Sequence, residues 1–138
     1  MTLLCADTSA WHHSGHPEVR DQWYAHLEGR RLGICDQVRL EILWSARSAD
    51  DYRDVADELL GLWAIASGPE TWARALDVQR QLSEVAGLHH RSVKIADLLI
   101  AAAAEVAEAT VWHYDQDYDR IAAITGQPTL WVAPAGSL

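Results

Sequence analysis

Carboxylates set in apolar surroundings are the most informative residues of this 138-residue chain. Asp7 directly follows the apolar run Leu3-Leu4-Cys5-Ala6, and Asp115 closely follows Ala109-Thr110-Val111-Trp112. Asp97 lies inside Ile95-Ala96-Asp97-Leu98-Leu99-Ile100, and Glu41 inside Val38-Arg39-Leu40-Glu41-Ile42-Leu43-Trp44. Asp117 comes two residues after Asp115. An ionised carboxylate in apolar company is costly unless it is paired, hydrogen-bonded or metal-bound. No comparable set of basic residues is embedded with these acids. Brought together, they would repel one another and their pKa values would rise. Hard divalent cations such as Mg²⁺ and Mn²⁺ take carboxylate and water ligands and resolve that conflict. Such a site activates water and stabilises charge on a phosphodiester under attack.

Each acid taken alone also has a plainer reading. Asp7 suits a helix cap. Asp97 suits a buried acid held by arginine or backbone, and Glu41 a helix-face residue paired with Arg39 or Arg47. Asp115, Asp117 and Asp119 suit an acidic helix start, which the helix dipole favours. The joint pattern is harder to explain this way than any single member.

The elements that must position these acids can be read from periodicity. Short apolar runs at Leu3–Ala6, Leu32–Cys35, Trp63–Ala66, Ala109–Trp112 and Pro128–Val132 read as strands. They lack polar alternation, as buried parallel strands do. Asp7, Thr8 and Ser9 offer N-cap candidates for the element after the first strand. A helix is predicted from Pro17 through Val19, Trp23, Tyr24 and Leu27 to Gly29. Asp36 is expected to cap a helix through Trp44, and another runs from about Asp50 to Leu62. A long helix opens at Pro69 and Glu70, runs to about Val85 and stops at Gly87. Ser92 is expected to cap the next, which is apolar nearly all round and so central; Asp97 then falls in its second turn. A last helix begins at Asp115 and ends at Gly126. Strands alternating with helices imply an α/β fold, a central mostly parallel sheet of about four or five short strands covered by helices. Sites in such sheets form beyond the carboxyl ends of the strands, where Asp7 and Asp115 fall.

Length and composition agree with one domain spanning 1–138. Hydrophobic residues make up 49% and charged residues 22%, which excludes disordered and fibrous classes. No run of about 18 apolar residues is present, so no transmembrane helix is expected. The N-terminus lacks the pattern of a secretory signal, and a cytoplasmic location is expected. Cys5 and Cys35 read as buried free thiols. Net charge is -9, which argues against a generic nucleic-acid binder. A nuclease tolerates this balance when its carboxylates converge on divalent cations.

Four segments together resemble the motifs of PIN domains. Asp7-Thr8-Ser9-Ala10 after an apolar strand resembles the opening motif. Leu40-Glu41-Ile42-Leu43 resembles the second acidic motif, and Ile95-Ala96-Asp97-Leu98-Leu99-Ile100-Ala101-Ala102 the third. Asp115-Gln116-Asp117-Tyr118-Asp119-Arg120-Ile121-Ala122 resembles the fourth. Order, spacing and length are similar to the VapC-like branch across essentially the whole chain.

The resemblance implies a PIN-like three-layer fold and a Mg²⁺- or Mn²⁺-dependent endoribonuclease. It implies the toxin of a toxin–antitoxin pair, held inactive by a VapB-like antitoxin and forming a homodimer. Asp7, Glu41, Asp97 and Asp115 match the acidic quartet, and Asp117 an additional acid that assists. Asp7, Asp97, Asp115 and Asp117 are the implied metal ligands. Thr8 and Ser9 match hydroxyl positions beside the first acid. His113 stands where Thr or Ser is common, and Tyr118 replaces Phe. For His113 an extra ligand, a proton carrier, a substrate contact and a purely structural role all stand. The implied chemistry is water attack on an RNA phosphodiester, leaving a 5′-phosphate and a 3′-hydroxyl.

Other groupings carry less. His12, His13 and His16 read as a solvent-facing loop cluster rather than a zinc site, since zinc is typically bound with cysteines at fixed geometry. Arg30, Arg31 and the His89-His90-Arg91 segment are the candidates for RNA phosphate contacts, against a solvated surface. Trp11, Trp23, Trp44 and Trp63 serve either the core or an interface. Lys94, the only lysine, carries no assignment. The competing functions are a housekeeping PIN nuclease and a PIN-like binding module without catalysis; retention of all four acids speaks against the latter. A metal-dependent phosphatase would want Asp-x-Asp after the first strand, where Asp7-Thr8-Ser9 stands.

Overall fold

The computed structural model describes residues 2–85, 87 and 89–138; Met1, Ala86 and Leu88 lie outside the described residues. Five strands form one sheet: β1 (Leu4–Ala6), β2 (Leu32–Cys35), β3 (Trp63–Ile65), β4 (Thr110–His113) and β5 (Thr129–Trp131). Their order is β3-β2-β1-β4-β5, and every neighbouring pair is parallel. Leu4, Cys5 and Ala6 are all buried, as are Leu32, Ile34 and Cys35. Successive strand residues point to opposite faces, so both faces of the central strands are covered. Cys5 and Cys35 are free thiols inside this core.

The helices are α1 (Thr8–His13), α2 (Pro17–Glu28), α3 (Asp36–Trp44), α4 (Ala49–Leu59), α5 (Pro69–Ser83), α6 (Ile95–Val106) and α7 (Asp117–Thr125). Helix α6 buries every residue from Asp97 to Ala104. Its alanine run lets it lie close to the sheet and to α5. Trp112 of β4 is fully buried, stacked on Trp23 at 5.9 Å, and Trp23 meets Trp11 edge-on at 5.9 Å. Trp11 and Trp23 therefore belong to the packing of the sheet, whereas Trp44 and Trp63 are exposed.

Several expected boundaries move, each for a local reason. Residues 8–13 form a helix of their own, capped by Asp7, so His12 and His13 are helical rather than in a loop. His16 caps α2, its Nδ1 accepting the Glu18 N–H. Asp36 is the first residue of α3 and not its cap; its carboxylate accepts the Ser67 N–H at 2.9 Å, bridging to the segment after β3. Helix α4 stops at Leu59, and Leu62 is buried in the turn beyond it. Ser92 does not cap α6. Its hydroxyl donates to the His89 carbonyl and closes a 3-10 turn over His89–Arg91. Lys94 holds the N-cap position instead, which puts Asp97 in the first turn of α6. Helix α7 starts at Asp117, leaving Asp115 in the connection from β4.

Candidate metal centre

The strand order reverses direction between β1 and β4, and loops there leave a crevice at the carboxyl ends of the strands. Asp7 stands at the end of β1. Its N–H donates to the Trp112 carbonyl at 3.1 Å, which extends the β1–β4 ladder by one bond. Its Oδ1 accepts the Ala10 N–H at 2.9 Å and the Ser9 hydroxyl at 2.6 Å. Ser9 Oγ in turn accepts the Tyr114 N–H at 2.8 Å. Ser9 thus ties the acid after β1 to the backbone after β4. Asp7 is a helix cap as well as an acid of the crevice.

Asp115 and Asp117 come from the turn after β4. Asp115 Oδ1 accepts the Asp117 N–H at 2.9 Å, folding the turn back on itself. Asp97 arrives from the first turn of α6 and is buried, as is Asp117. One oxygen each of Asp97, Asp115 and Asp117 lies within 4.8 Å of the others. The Lys94 ammonium sits against all three, 2.7 Å from Asp115, 3.1 Å from Asp117 and 3.4 Å from Asp97. Arg120 pairs with the other oxygen of Asp117 at 3.2 Å. The Tyr118 hydroxyl donates to Asp97 Oδ1 at 3.2 Å, while buried Asp97 Oδ2 has no hydrogen-bond partner.

The electrostatics reflect this crowding. Burial, then the Asp115 charge, raise the Asp97 pKa to about 8 against the pull of Lys94. Burial raises Asp7 to about 6, moderated by the Ser9 hydroxyl and the Ala10 N–H. Burial also disfavours ionised Asp115, but the Lys94 ammonium and the Asp117 N–H outweigh it and hold this carboxyl below its ordinary range. For Lys94, burial works against the charge and the Asp115 and Asp117 carboxylates prevail, so its pKa is raised. A cluster that already holds one cation and still keeps Asp97 reluctant to ionise is short of positive charge. A buried carboxylate oxygen with no hydrogen bond, only the Lys94 ammonium at 3.4 Å, and an all-oxygen donor set fit a hard divalent ion.

The remaining expected residues fall in three places. Glu41 does not join the close trio. It is half-buried on α3, accepts from Gln37, and lines an open groove of about 390 Å³ with Thr8, His12, Leu40, Trp44 and Ser45. Thr8 links that groove to Asp7 in the chain, and its buried Oγ1 has no partner. His113 is fully buried between Tyr118 and Trp131, and its Nδ1 accepts the Asp115 N–H at 3.1 Å. Burial lowers its pKa to about 4. A neutral, enclosed ring that accepts the Asp115 N–H shapes the turn carrying that acid. Arg30 and Arg31 are not brought to the acids: they precede β2, at the opposite end of the parallel strands. Arg30 lies over Trp63 and Arg31 donates to His26 and the Ala25 carbonyl. Arg91 is exposed in the turn leading to Lys94. Sequence reasoning missed Lys94; the available signal was a lysine three residues before a buried aspartate at a helix start.

Residues 4–124 match the PIN domain family. The chain is 63% identical over 136 residues to Ribonuclease VapC18 of Mycobacterium tuberculosis, covering 99% of each. It superposes on a crystal structure of DNA-bound VapBC from Salmonella typhimurium with a TM-score of 0.78 at 15% identity, covering 96% of this chain and 100% of that one. A toxin-antitoxin complex from Klebsiella pneumoniae gives a TM-score of 0.66 at 15% identity, covering 83% and 88%. With the strand order, the acids at the β1–β4 crevice and these likenesses in place, the chain belongs to the PIN-domain family and, within it, to the VapC group.

Proposed function

We propose that this protein is a metal-dependent endoribonuclease acting as the toxin of a toxin–antitoxin pair. The observation that carries the reading is the convergence of Asp97, Asp115 and Asp117 oxygens within 4.8 Å around one cation position. Asp7 lies outside that trio, at the end of β1, and is the fourth acid of the reading; Ser9 and Ala10 hold its Oδ1. Mg²⁺ or Mn²⁺ held by these four carboxylates would supply an activated water and neutralise charge on the scissile phosphate. The residues supply the rest. Ser9 and the Tyr118 hydroxyl fix the orientation of Asp7 and Asp97, and His113 fixes the turn that presents Asp115. Glu41, on the wall of the adjoining groove, orients the attacking water from the α3 side. Arg91 meets the RNA backbone on the exposed approach to α6. Arg30 and Arg31, at the other end of the sheet, are left without a role at the site.

The 63% identity to a ribonuclease supports RNA as substrate. The VapBC and toxin-antitoxin complexes among the solved folds support a VapB-like antitoxin as partner. Exposed Leu40 and Trp44 flank the groove beside Glu41 and suit an apolar antitoxin segment. A homodimer is served by a second apolar patch, where Trp72, Leu76 and Ile95 are exposed around Ala75, Leu98 and Leu99. No helix among the described residues is long and apolar enough to cross a membrane, and a cytoplasmic site of action is part of the same reading.

Induced expression in a bacterial host tests the toxin reading. Growth arrest by the wild type, absent with Asp97→Asn at equal protein level, is expected. Equal arrest by both proteins, or by neither, contradicts it.

A further inference from the structure

Nothing in the cluster of Asp97, Asp115 and Asp117 calls for a lysine, yet one stands against all three. The Lys94 ammonium lies against the same three carboxylates that would take a divalent ion, at 2.7, 3.1 and 3.4 Å. Two cations cannot share that position, since like charges at contact distance repel strongly. The residue is anchored through its backbone. The Lys94 N–H donates to Asp117 Oδ2 at 3.1 Å and fixes the residue as the N-cap of α6. Beyond that point the side chain is 62% exposed, so it can turn into solvent without disturbing the core. Arg120, by contrast, pairs with the outer oxygen of Asp117 and leaves the shared position alone.

We propose that Lys94 is a tethered stand-in cation: it holds the carboxylates together in the metal-free protein and is displaced when a divalent ion binds. This inference rests on the metal reading of the site. It explains how several buried acids fold before metal arrives, and it makes metal binding a competition against an internal ammonium. Metal affinity is then weaker than the bare carboxylate set would give, and metal-free stability is greater.

The single lysine makes the test direct. Protein labelled with ¹³C at lysine Cε and ¹⁵N at Nζ gives one side-chain signal. In chelator that signal is expected at the position of a paired, slowly exchanging ammonium. On titration with Mg²⁺ it moves to the values of free lysine, saturating at the concentration where calorimetry shows the ion bound. Lys94→Met is expected to bind Mn²⁺ at least about tenfold more tightly than the wild type. The same variant melts at a lower temperature in chelator and recovers in Mn²⁺. Saturable metal binding with an unmoved Lys94 signal overturns the inference alone, as does equal or weaker Mn²⁺ binding by Lys94→Met. Absence of metal binding by both proteins overturns the metal reading and this inference with it. The labelled wild type gives its answer even if Lys94→Met folds only with metal present.

Discussion

At the scale of single residues, the site is built by giving each acid a different environment. Asp7 is secured by a serine and a helix turn, Asp115 by a lysine and a backbone N–H, and Asp97 by a tyrosine hydroxyl and, at longer range, the same lysine. Burial, then the Asp115 charge, raise the Asp97 pKa to about 8. A raised folded-state pKa means that the folded protein binds more protons than the unfolded chain between the ordinary value, 3.8, and about 8. That contribution to stability is present below 3.8 and is lost as pH rises through about 8. His113 contributes between about 4 and 6.5, with the opposite sign, and Asp7 is complete above about 6, so from pH 6.5 to 8 Asp97 contributes where these two do not. In chelator the wild type is expected to gain about 1–2 kcal/mol on going from pH 8 to 6.5. Asp97→Asn should show a flat profile in denaturant melts over the same window; equal slopes would contradict the assignment. Ser9→Ala removes the tie between Asp7 and Tyr114. It should cost about 1 kcal/mol of stability and lower RNA cleavage by roughly tenfold, read by melting and by initial rates.

At the scale of elements, the crevice exists because α6 is short of side-chain bulk and α7 starts late. Alanines let α6 bring Asp97 inward, and the turn before α7 carries Asp115 and Asp117 to meet it. Helix α7 ends at Gly126, whose φ of +70° is the left-handed conformation that glycine adopts without strain. The next residue, Gln127, reaches from there to the Ala101 carbonyl at 2.9 Å and pins α7 to α6. Gly126→Ala should therefore destabilise the protein by about 1 kcal/mol, seen as a lower thermal midpoint, with the metal site intact. All five strands were legible in the sequence because buried parallel strands are short continuous apolar runs, and the acids were legible because each stands in or beside an apolar run. The start of α6 was not. Ser92 looks like a cap, but the 3-10 turn before it consumes its hydroxyl, and the true cap, Lys94, has no capping side chain. Helix α1 was missed because six residues are too few to show periodicity. The place of Arg30 and Arg31 depends on strand direction in the finished sheet, which charge alone does not reveal.

At the scale of the whole molecule, the proposed function asks a chain with net charge of -9 to bring a polyanion to an acidic crevice. On the proposed reading, bound divalent ions would reverse the local sign, and metal would be the condition for substrate approach as well as for chemistry. In the same reading, the exposed apolar patches are the surfaces proposed for the partners. Leu76→Glu, on the α5–α6 patch, should shift sedimentation from dimer to monomer, while an unchanged sedimentation profile would move the interface elsewhere. The most direct test of the central claim is cleavage of total cellular RNA by the purified, antitoxin-free protein, with Mg²⁺, Mn²⁺ or chelator, beside Asp97→Asn. The predicted result is discrete fragments with either metal, none in chelator, and a loss of at least about a hundredfold in the variant. Cutting that persists in chelator, or that Asp97→Asn performs as well as the wild type, would contradict a carboxylate-held metal as the centre of the activity.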